Sequence, residues 1–202
     1  MSLTHIVIDI ETLSTKPNAV ILSVACVPFV LEEHTLFNDL LSKGIYIKFD
    51  ASDQIKKYKR DVDKKTIDWW KTQPQEVFNA EVKPSKRDVD SLTGITTLSK
   101  FIGSIDGFNS KKSYVWSRGN NFDFPILQSL YEDLEIKLPY NTWTIRDIRT
   151  AIDILHGTDD GKYELKYGNN GFIAHNPLHD AAMDAARLNE LFWIAVNGEP
   201  AF

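Results

Sequence analysis

The sequence has little cysteine, no long apolar run and no excess of positive charge, and each shortage excludes a class of protein. Cys26 is the only cysteine, which excludes an intrachain disulfide, a zinc finger and a CxxC redox site. The longest apolar run, 19–31, contains Ser23 and Pro28 and is too short to cross a bilayer. The N-terminal residues show no basic segment followed by an apolar one, so no secretion signal is expected. These features favour a cytoplasmic protein that does not enter a membrane.

The balance of charges limits how the protein could hold a polyanion. The chain has 23 Lys and Arg against 28 Asp and Glu, a net charge of -5. A protein that coats nucleic acid through a broad basic face is usually positive. We therefore expect any polyanion to be held locally or through bound cations.

Length and hydrophobic pattern predict the domain organisation and the fold class. A chain of 202 residues is long enough to bury most of its apolar surface in one domain. We expect a single domain over 1–202, with a polar, helix-rich elaboration over 52–112. Strands followed by alternating strands and helices predict an α/β protein with a mixed sheet and helices on its faces. The strands are expected at 5–11, 19–30, 44–49, 114–116 and 142–145, and the main helices at 88–105, 122–134, 148–155 and 176–197.

A few acidic residues and one histidine occupy positions that suit chemistry. Asp9 and Glu11 end the first strand, and residues two apart on a strand point to the same face. Asp123 lies at the start of a helix. His179 and Asp184 lie on the last helix, where five residues turn the direction by roughly 140°, so they share a pocket only if His179 is in the frayed first turn. Taken singly, each has an ordinary explanation as a solvated acid, a partner of the helix dipole or a polar helix face.

Taken in chain order, these residues form a recognisable series. Asp-x-Glu on the first strand, Phe-Asp at a helix start and His-x-Ala-x-x-Asp on the last helix resemble the DEDDh exonucleases of the ribonuclease H-like superfamily. The segments 66–73, 116–123 and 146–150 resemble a narrower branch that includes phage exonuclease A and a mycobacterial exoribonuclease. Residues 118–120 read Arg-Gly-Asn where many DEDDh enzymes have His-Asn-Ala. We expect this difference to affect substrate contacts rather than the metal site.

The resemblance implies a fold and a catalytic site. The fold is a ribonuclease H-like sheet in which the first three strands are antiparallel and the later ones parallel. Two divalent cations, Mg²⁺ or Mn²⁺, are implied, and oxygen ligands suit both. His179 is implied as the general base. The residues implied as metal ligands are Asp9, Glu11, Asp123 and Asp184.

The resemblance also implies a substrate. The expected activity is 3'-5' exonuclease hydrolysis of single-stranded DNA with a free 3' end, which releases nucleoside monophosphates. Thr12 and Leu13 are implied contacts of the terminal nucleotide. Trp70 and Phe122 are candidates for stacking on bases, and both also suit a plain core role. Arg118 is a candidate phosphate contact. The protein is expected to be a monomer or a homodimer.

Three alternatives stay open from the sequence. The first is an exoribonuclease with the same chemistry, because the sugar's 2'-hydroxyl is sensed by shape and a few hydrogen bonds rather than by a recognisable motif. The second is a non-catalytic nucleic-acid-binding module, which would have no use for all four acids and the histidine. The third is an unrelated metal-dependent phosphatase, or a structural protein, with coincidental acids.

Overall fold

The structure, a computed structural model, describes residues 2–166 and 171–198. Its sheet is built from β1 (Thr4–Thr12), β2 (Ile21–Val30), β3 (Ile45–Lys48), β4 (Val115–Ser117) and β5 (Ile145–Asp147). The strand order is β3-β2-β1-β4-β5. The first three strands are antiparallel, and β4 and β5 run parallel to β1. The predicted mixed sheet is confirmed.

Helices cover both faces of this sheet. They are α1 (Phe37–Lys43), α2 (Ala51–Tyr58), α3 (Lys64–Trp70), α4 (Gln75–Glu81), α5 (Ser91–Ser104), α6 (Asp123–Asp133), α7 (Ile148–His156) and α8 (Pro177–Asn197). The last four lie within three residues of the predicted bounds. The strand predicted at 142–145 is wrong over most of its length: Thr142–Thr144 is a short 3-10 helix and the strand begins at Ile145. Within the described residues, no helix combines the length and the apolar character needed to span a membrane.

Side-chain caps fix where the late helices begin. Asn176 accepts hydrogen bonds from the backbone N–H groups of Leu178 and His179, and Pro177 occupies the first helical turn of α8. Proline suits this position because its missing N–H has no intrahelical partner there. Asp147 caps α7 in the same way by accepting from the Thr150 backbone N–H. The Asn176 cap holds in place the end of α8 that carries His179.

Alternation along β1 decides which residues face α8. Ile6, Ile8 and Ile10 pack in the cluster formed with α5 and α6. Val7 packs on the opposite face, in the cluster that includes α1, α7 and α8. Since side chains alternate along a strand, Asp9 and Glu11 share the face of Val7 and point towards α8.

The stretch 52–112 is tied to the sheet at two places. Helix α5 contributes Ile95, Leu98 and Ile102 to the main core. Helices α3 and α4 pack through Trp70 and Val77 in a third, smaller cluster. These shared cores support our proposal that the chain forms one domain with a helical elaboration.

Candidate active site

The predicted acids meet at the C-terminal end of β1. They line one cavity of about 400 Å³ together with two arginines. The four predicted acids, Asp9, Glu11, Asp123 and Asp184, all lie in its wall. Residues distant in sequence are therefore brought to one site by the first strand, the start of α6 and the middle of α8. We call it the acidic cavity.

The local structure explains how two of these acids reach the cavity. Asp123 is the first residue of α6, and its Oδ1 accepts a hydrogen bond of 3.3 Å from the Ile10 backbone N–H. This bond fastens the start of α6 to β1. Asp184 lies beside Ala181 and Ala185, which are fully buried, and these small side chains let α8 approach the sheet closely.

Burial and mutual repulsion in the cavity favour the protonated forms of its acids over the ionised forms. Desolvation, followed by the charge of Asp123, raises the pKa of Asp9 well above its usual range. Desolvation, followed by the charge of Asp180, does the same to the pKa of Glu11. Burial raises the pKa of Asp123 to about 7. Among the residues that the structure describes, no lysine or arginine forms an ion pair with Asp9, Glu11 or Asp123.

Asp184 differs from these acids because it has two cationic partners. The Arg118 Nε donates to its Oδ2 at 2.9 Å and the Arg118 Nη2 to its Oδ1 at 2.7 Å. The Arg187 Nη1 donates to Oδ1 at 2.8 Å. Arg118 also donates to the Gly161 carbonyl at 2.8 Å. Both arginines line the acidic cavity, so a phosphate that enters it meets positive charge on one wall.

Asp180 and His175 also line the acidic cavity, and the sequence did not predict either. Their ligand atoms and that of Glu11 lie within 4.8 Å of one another. Burial, and then the charge of Asp184, raises the pKa of Asp180 to about 7. A signal for Asp180 existed, because a residue four positions before Asp184 shares its helix face. His175 precedes the helix in a left-handed conformation, with φ of 61°, which periodicity does not reveal.

The predicted general base lies apart from these acids. His179 is not among the described residues that line the acidic cavity. Its Nδ1 accepts a hydrogen bond of 3.3 Å from the Ile173 backbone N–H, and its ring lies 5.9 Å from that of Phe37. Partial burial lowers the pKa of His179 below its usual value. The side chain of His179 points away from the cavity because it lies five residues before Asp184, which places the two on different faces of the helix. A rotation of His179 into the cavity stays a prediction.

The predicted substrate contacts fall into two groups. Thr12 and Phe122 line a second cavity of about 490 Å³, which shares Glu11 and Phe122 with the acidic cavity. Leu13 is only 8% exposed and packs in the cluster around Trp70, so its contact with a nucleotide stays a prediction.

The stacking role predicted for Trp70 is wrong. Its exposed fraction is 0%, so its ring offers no face to a base. Its Nε1 instead donates to the Thr12 carbonyl at 2.9 Å, and Trp70 thereby supports the chain that follows Glu11. The neighbouring Trp69, which is 42% exposed, lines the second cavity. The sequence of the segment 66–73, in which the two tryptophans are adjacent, does not show which of them faces outward.

The donor set of the acidic cavity fits hard divalent cations. Mg²⁺ and Mn²⁺ prefer carboxylate and water oxygens, and the wall supplies carboxylates whose mutual repulsion a cation relieves. His175 adds one nitrogen near Glu11. The residues present therefore fit a divalent-metal site.

Comparison with known proteins agrees with this geometry. A family model described as a 3'-5' exoribonuclease Rv2179c-like domain matches residues 4–192. The chain is 34% identical over 212 residues to an exodeoxyribonuclease from Enterobacteria phage T4, and the match covers 96% of this chain and 92% of that protein.

Solved structures share the fold at low sequence identity. A zinc-bound complex of E. coli ExoI with single-stranded DNA superposes with a TM-score of 0.59 at 13% identity, covering 97% of this chain and 41% of that one. Exonuclease I from Methylocaldum szegediense gives 0.56 at 19% identity, with 96% and 43% covered. The chain therefore spans about two fifths of these larger proteins.

Proposed function

Since the chain belongs to the Rv2179c-like 3'-5' exoribonuclease family and is a 3'-5' exonuclease, we propose that it degrades single-stranded DNA and releases nucleoside monophosphates. The observation that carries the proposal is the meeting of the four predicted acids at one cavity. The choice of DNA is supported by the phage T4 exodeoxyribonuclease, which matches nearly the whole chain. RNA is the second candidate, because the family description names an exoribonuclease.

We assign two divalent cations, Mg²⁺ or Mn²⁺, to Asp9, Glu11, Asp123 and Asp184. When bound, such a pair stabilises the attacking and leaving oxygens of a displacement at phosphorus. Four carboxylates carry a charge that two such cations balance. The acidic cavity then accepts a phosphate only when it is loaded, which suits a protein with a net charge of -5.

The two arginines orient the substrate in this proposal. Arg118 reaches Asp184 and the Gly161 carbonyl at once, and Arg187 reaches Asp184 from the next turn of α8. Guanidinium groups bind phosphate oxygens through paired N–H donors. Both side chains can therefore hold Asp184 in position and contact the phosphate beside it.

His179 is proposed to take the proton from the attacking water. Its lowered pKa keeps the ring neutral at pH 7, the form that accepts a proton. To do so the ring has to leave the Ile173 N–H, a hydrogen bond that is long at 3.3 Å. Such a rotation concerns the side chain alone, so the Asn176 cap on the His179 backbone N–H is kept.

Matched DNA and RNA oligonucleotides labelled at the 5' end test the activity. We expect stepwise shortening from the 3' end with Mg²⁺ or Mn²⁺ and none with EDTA, and faster shortening of DNA. Faster shortening of RNA would indicate that the enzyme is an exoribonuclease. Loss of a terminal phosphate alone would indicate a phosphatase, and retention of intact strand on the protein would indicate a binding module.

The same proposal includes a cellular location and an assembly state. We place the enzyme in the cytoplasm, where its one cysteine, the buried Cys26, stays a free thiol. A monomer or a homodimer is expected, and light scattering of the purified protein distinguishes the two.

A further inference from the structure

The turn that follows β4 and the first turn of α7 meet at the carboxylate of Asp147, the last residue of β5. Its Oδ2 accepts hydrogen bonds from the backbone N–H groups of Gly119 at 3.1 Å and Asn120 at 3.2 Å. Its Oδ1 accepts from the Thr150 N–H at 2.8 Å and from the Thr150 hydroxyl at 2.9 Å. One side chain therefore ties the turn after β4 to the start of α7.

The cap of α7 uses only one of the two Asp147 oxygens. Asp90 caps α5 through the same Asp-x-x-Thr pattern, accepting from the Thr93 N–H at 3.0 Å and from the Thr93 hydroxyl at 2.7 Å. Among the residues that the structure describes, Asp90 accepts no hydrogen bond from outside this cap. Burial alone raises the pKa of Asp147, but its four donors outweigh burial and lower the pKa below its usual value. An ionised carboxylate thus serves the turn after β4 as well as the helix.

The turn that Asp147 holds carries Arg118, one of the two arginines of the acidic cavity. Gly119 has φ of 100°, which favours glycine, and a Cβ at this position would lie 3.0 Å from the Arg149 Nη1. The turn therefore lies directly against α7. From this turn the Arg118 side chain reaches the Asp184 oxygens at 2.7 and 2.9 Å, so the position of the turn decides where the guanidinium lies.

The tip of the Arg118 side chain is also held from α7. Its Nη1 donates to the Gly161 carbonyl at 2.8 Å. The Gly161 N–H in turn donates to the Oδ1 of Asp153, a residue of α7, at 2.8 Å. The region around α7 thus fixes both the backbone and the guanidinium of Arg118. A side chain that is held before the substrate arrives loses less conformational freedom when it binds a phosphate.

We infer that Asp147 is a positioning residue for Arg118: its carboxylate fixes the turn after β4 so that the guanidinium lies across Asp184 and faces the phosphate that is cut. The inference rests on the proposed function, in which Arg118 holds Asp184 and contacts the phosphate, and deepens it by naming what fixes Arg118. Asp147 acts through two backbone N–H groups and not on the substrate itself. The segments 116–123 and 146–150 then form one structural unit.

Asp147→Asn separates the turn from the cap. Asparagine caps a helix about as well as aspartate, but its NH₂ group cannot accept from the Gly119 and Asn120 N–H groups. We expect kcat/KM on 5'-labelled DNA with Mg²⁺ to fall about 10–100-fold, the usual effect of losing a residue that orients a functional group. Asp90→Asn is the matched control, because it makes the same change in a cap that holds no turn, and its kcat/KM should be unchanged. Equal loss in both variants, or no loss in Asp147→Asn, would overturn the positioning role.

A double-mutant cycle with Arg118→Ala distinguishes positioning from a general weakening of the fold. Once the Arg118 side chain is gone, adding Asp147→Asn should change kcat/KM by no more than about twofold, because the position of a missing group has no effect. Gly119→Ala strains the turn but leaves Asp147 intact, so it should lower kcat/KM as Asp147→Asn does and should also have little effect beside Arg118→Ala. Losses that multiply in the double variants would show that Asp147 acts independently of Arg118 and would overturn the inference.

A crystal structure of Asp147→Asn tests the inference without turnover. We expect α7 to begin at the same residue and the Arg118 guanidinium to leave Asp184. An Arg118 that keeps its hydrogen bonds to Asp184 would overturn the inference, even if the activity falls. Absence of any shortening by wild type would instead overturn the proposed function, whereas a displaced Arg118 in the crystal would still support the positioning role. The two failures are therefore distinguishable.

Discussion

The two halves of α8 differ in the surroundings of their buried polar side chains. In the second half, Glu190 is 3% exposed and accepts hydrogen bonds from the Tyr163 hydroxyl and the Lys166 backbone N–H. Asn189, fully buried, accepts from Thr35 and donates to the Val30 carbonyl. In the first half, Asp180 faces other acids, and its pKa is raised to about 7.

Under the proposed function, this contrast separates acids that stabilise the fold from acids that hold the catalytic cations. A carboxylate kept for structure is supplied with donors, because an unsatisfied buried polar group is costly. The acids of the cavity are crowded against one another, which is unfavourable unless a cation joins them. Perturbed pKa values gather at functional sites. The raised pKa values of the crowded, buried acids therefore indicate that the first half of α8 is its functional half.

Truncation of one acid from each set should give the largest and clearest difference. We expect Asp9→Ala to lose nearly all activity, well beyond the roughly 10–100-fold caused by loss of a residue outside the ligand shell. Its thermal stability without cations should not fall, because a repelling charge is removed. Glu190→Ala should keep kcat and lose about 1–3 kcal/mol of unfolding free energy, because two donors lose their acceptor. Steady-state assays and denaturant unfolding measure both, and a destabilised Asp9→Ala with normal kcat would reverse the assignment.

The two histidines near the start of α8 sharpen the comparison within the functional half. We expect His179→Ala to lower kcat about 100-fold, a typical contribution of a general base, while manganese binding measured by isothermal titration is unchanged. His175→Ala should weaken manganese binding instead, because its ligand atom lies near those of Glu11 and Asp180. Near-normal turnover in His179→Ala would remove that residue from the mechanism.

Removal of cations should make stability depend on pH in a direction set by the crowded acids. Asp123 and Asp180 have pKa values of about 7 in the fold, against about 3.9 in an unfolded chain. Their protonation stabilises the fold fully below about pH 4, and this contribution is lost as pH rises through about 7. In EDTA, Tm should fall between pH 5 and 8, by about 2–4 °C for each kcal/mol at this chain length.

Two controls test whether the cavity acids cause the fall of Tm with pH. Addition of Mg²⁺ should raise Tm most at pH 8, because cations bind the ionised carboxylates. Asp123→Asn should flatten the slope in EDTA, whereas Glu190→Gln should leave it unchanged. A Tm in EDTA that rises from pH 5 to 8 would show that the cavity acids are not repelling one another.

The smallest expected effect on stability concerns the buried hydrogen bond from the Trp70 indole N–H to the Thr12 carbonyl. Trp70→Phe removes the donor to the Thr12 carbonyl and should lower the unfolding free energy by about 1 kcal/mol. Because Trp70 is buried, KM should change little. Chemical denaturation and a kinetic assay on one preparation give both quantities, and a tenfold rise in KM would return Trp70 to the substrate site.

The sequence predicted the parts of the molecule that local patterns determine. Alternation of side chains along β1 was enough to place Asp9 and Glu11 on one face, and the Asn176-Pro177 pair was enough to place the start of α8. The sequence could not place His175, because its role depends on a left-handed turn and on contacts with Trp69. It could not distinguish Trp69 from Trp70, since both lie in one short helix and only packing decides which is enclosed. The 3-10 helix at Thr142–Thr144 was missed because its residues have a β-like composition.

Anomalous diffraction from a crystal soaked in Mn²⁺ tests the central claim most directly. The account predicts manganese peaks in the acidic cavity, with carboxylate oxygens of Asp9 and Asp184 among the ligands. Peaks elsewhere on the surface, with Asp9 and Asp184 turned into separate environments and no ion between them, would contradict it.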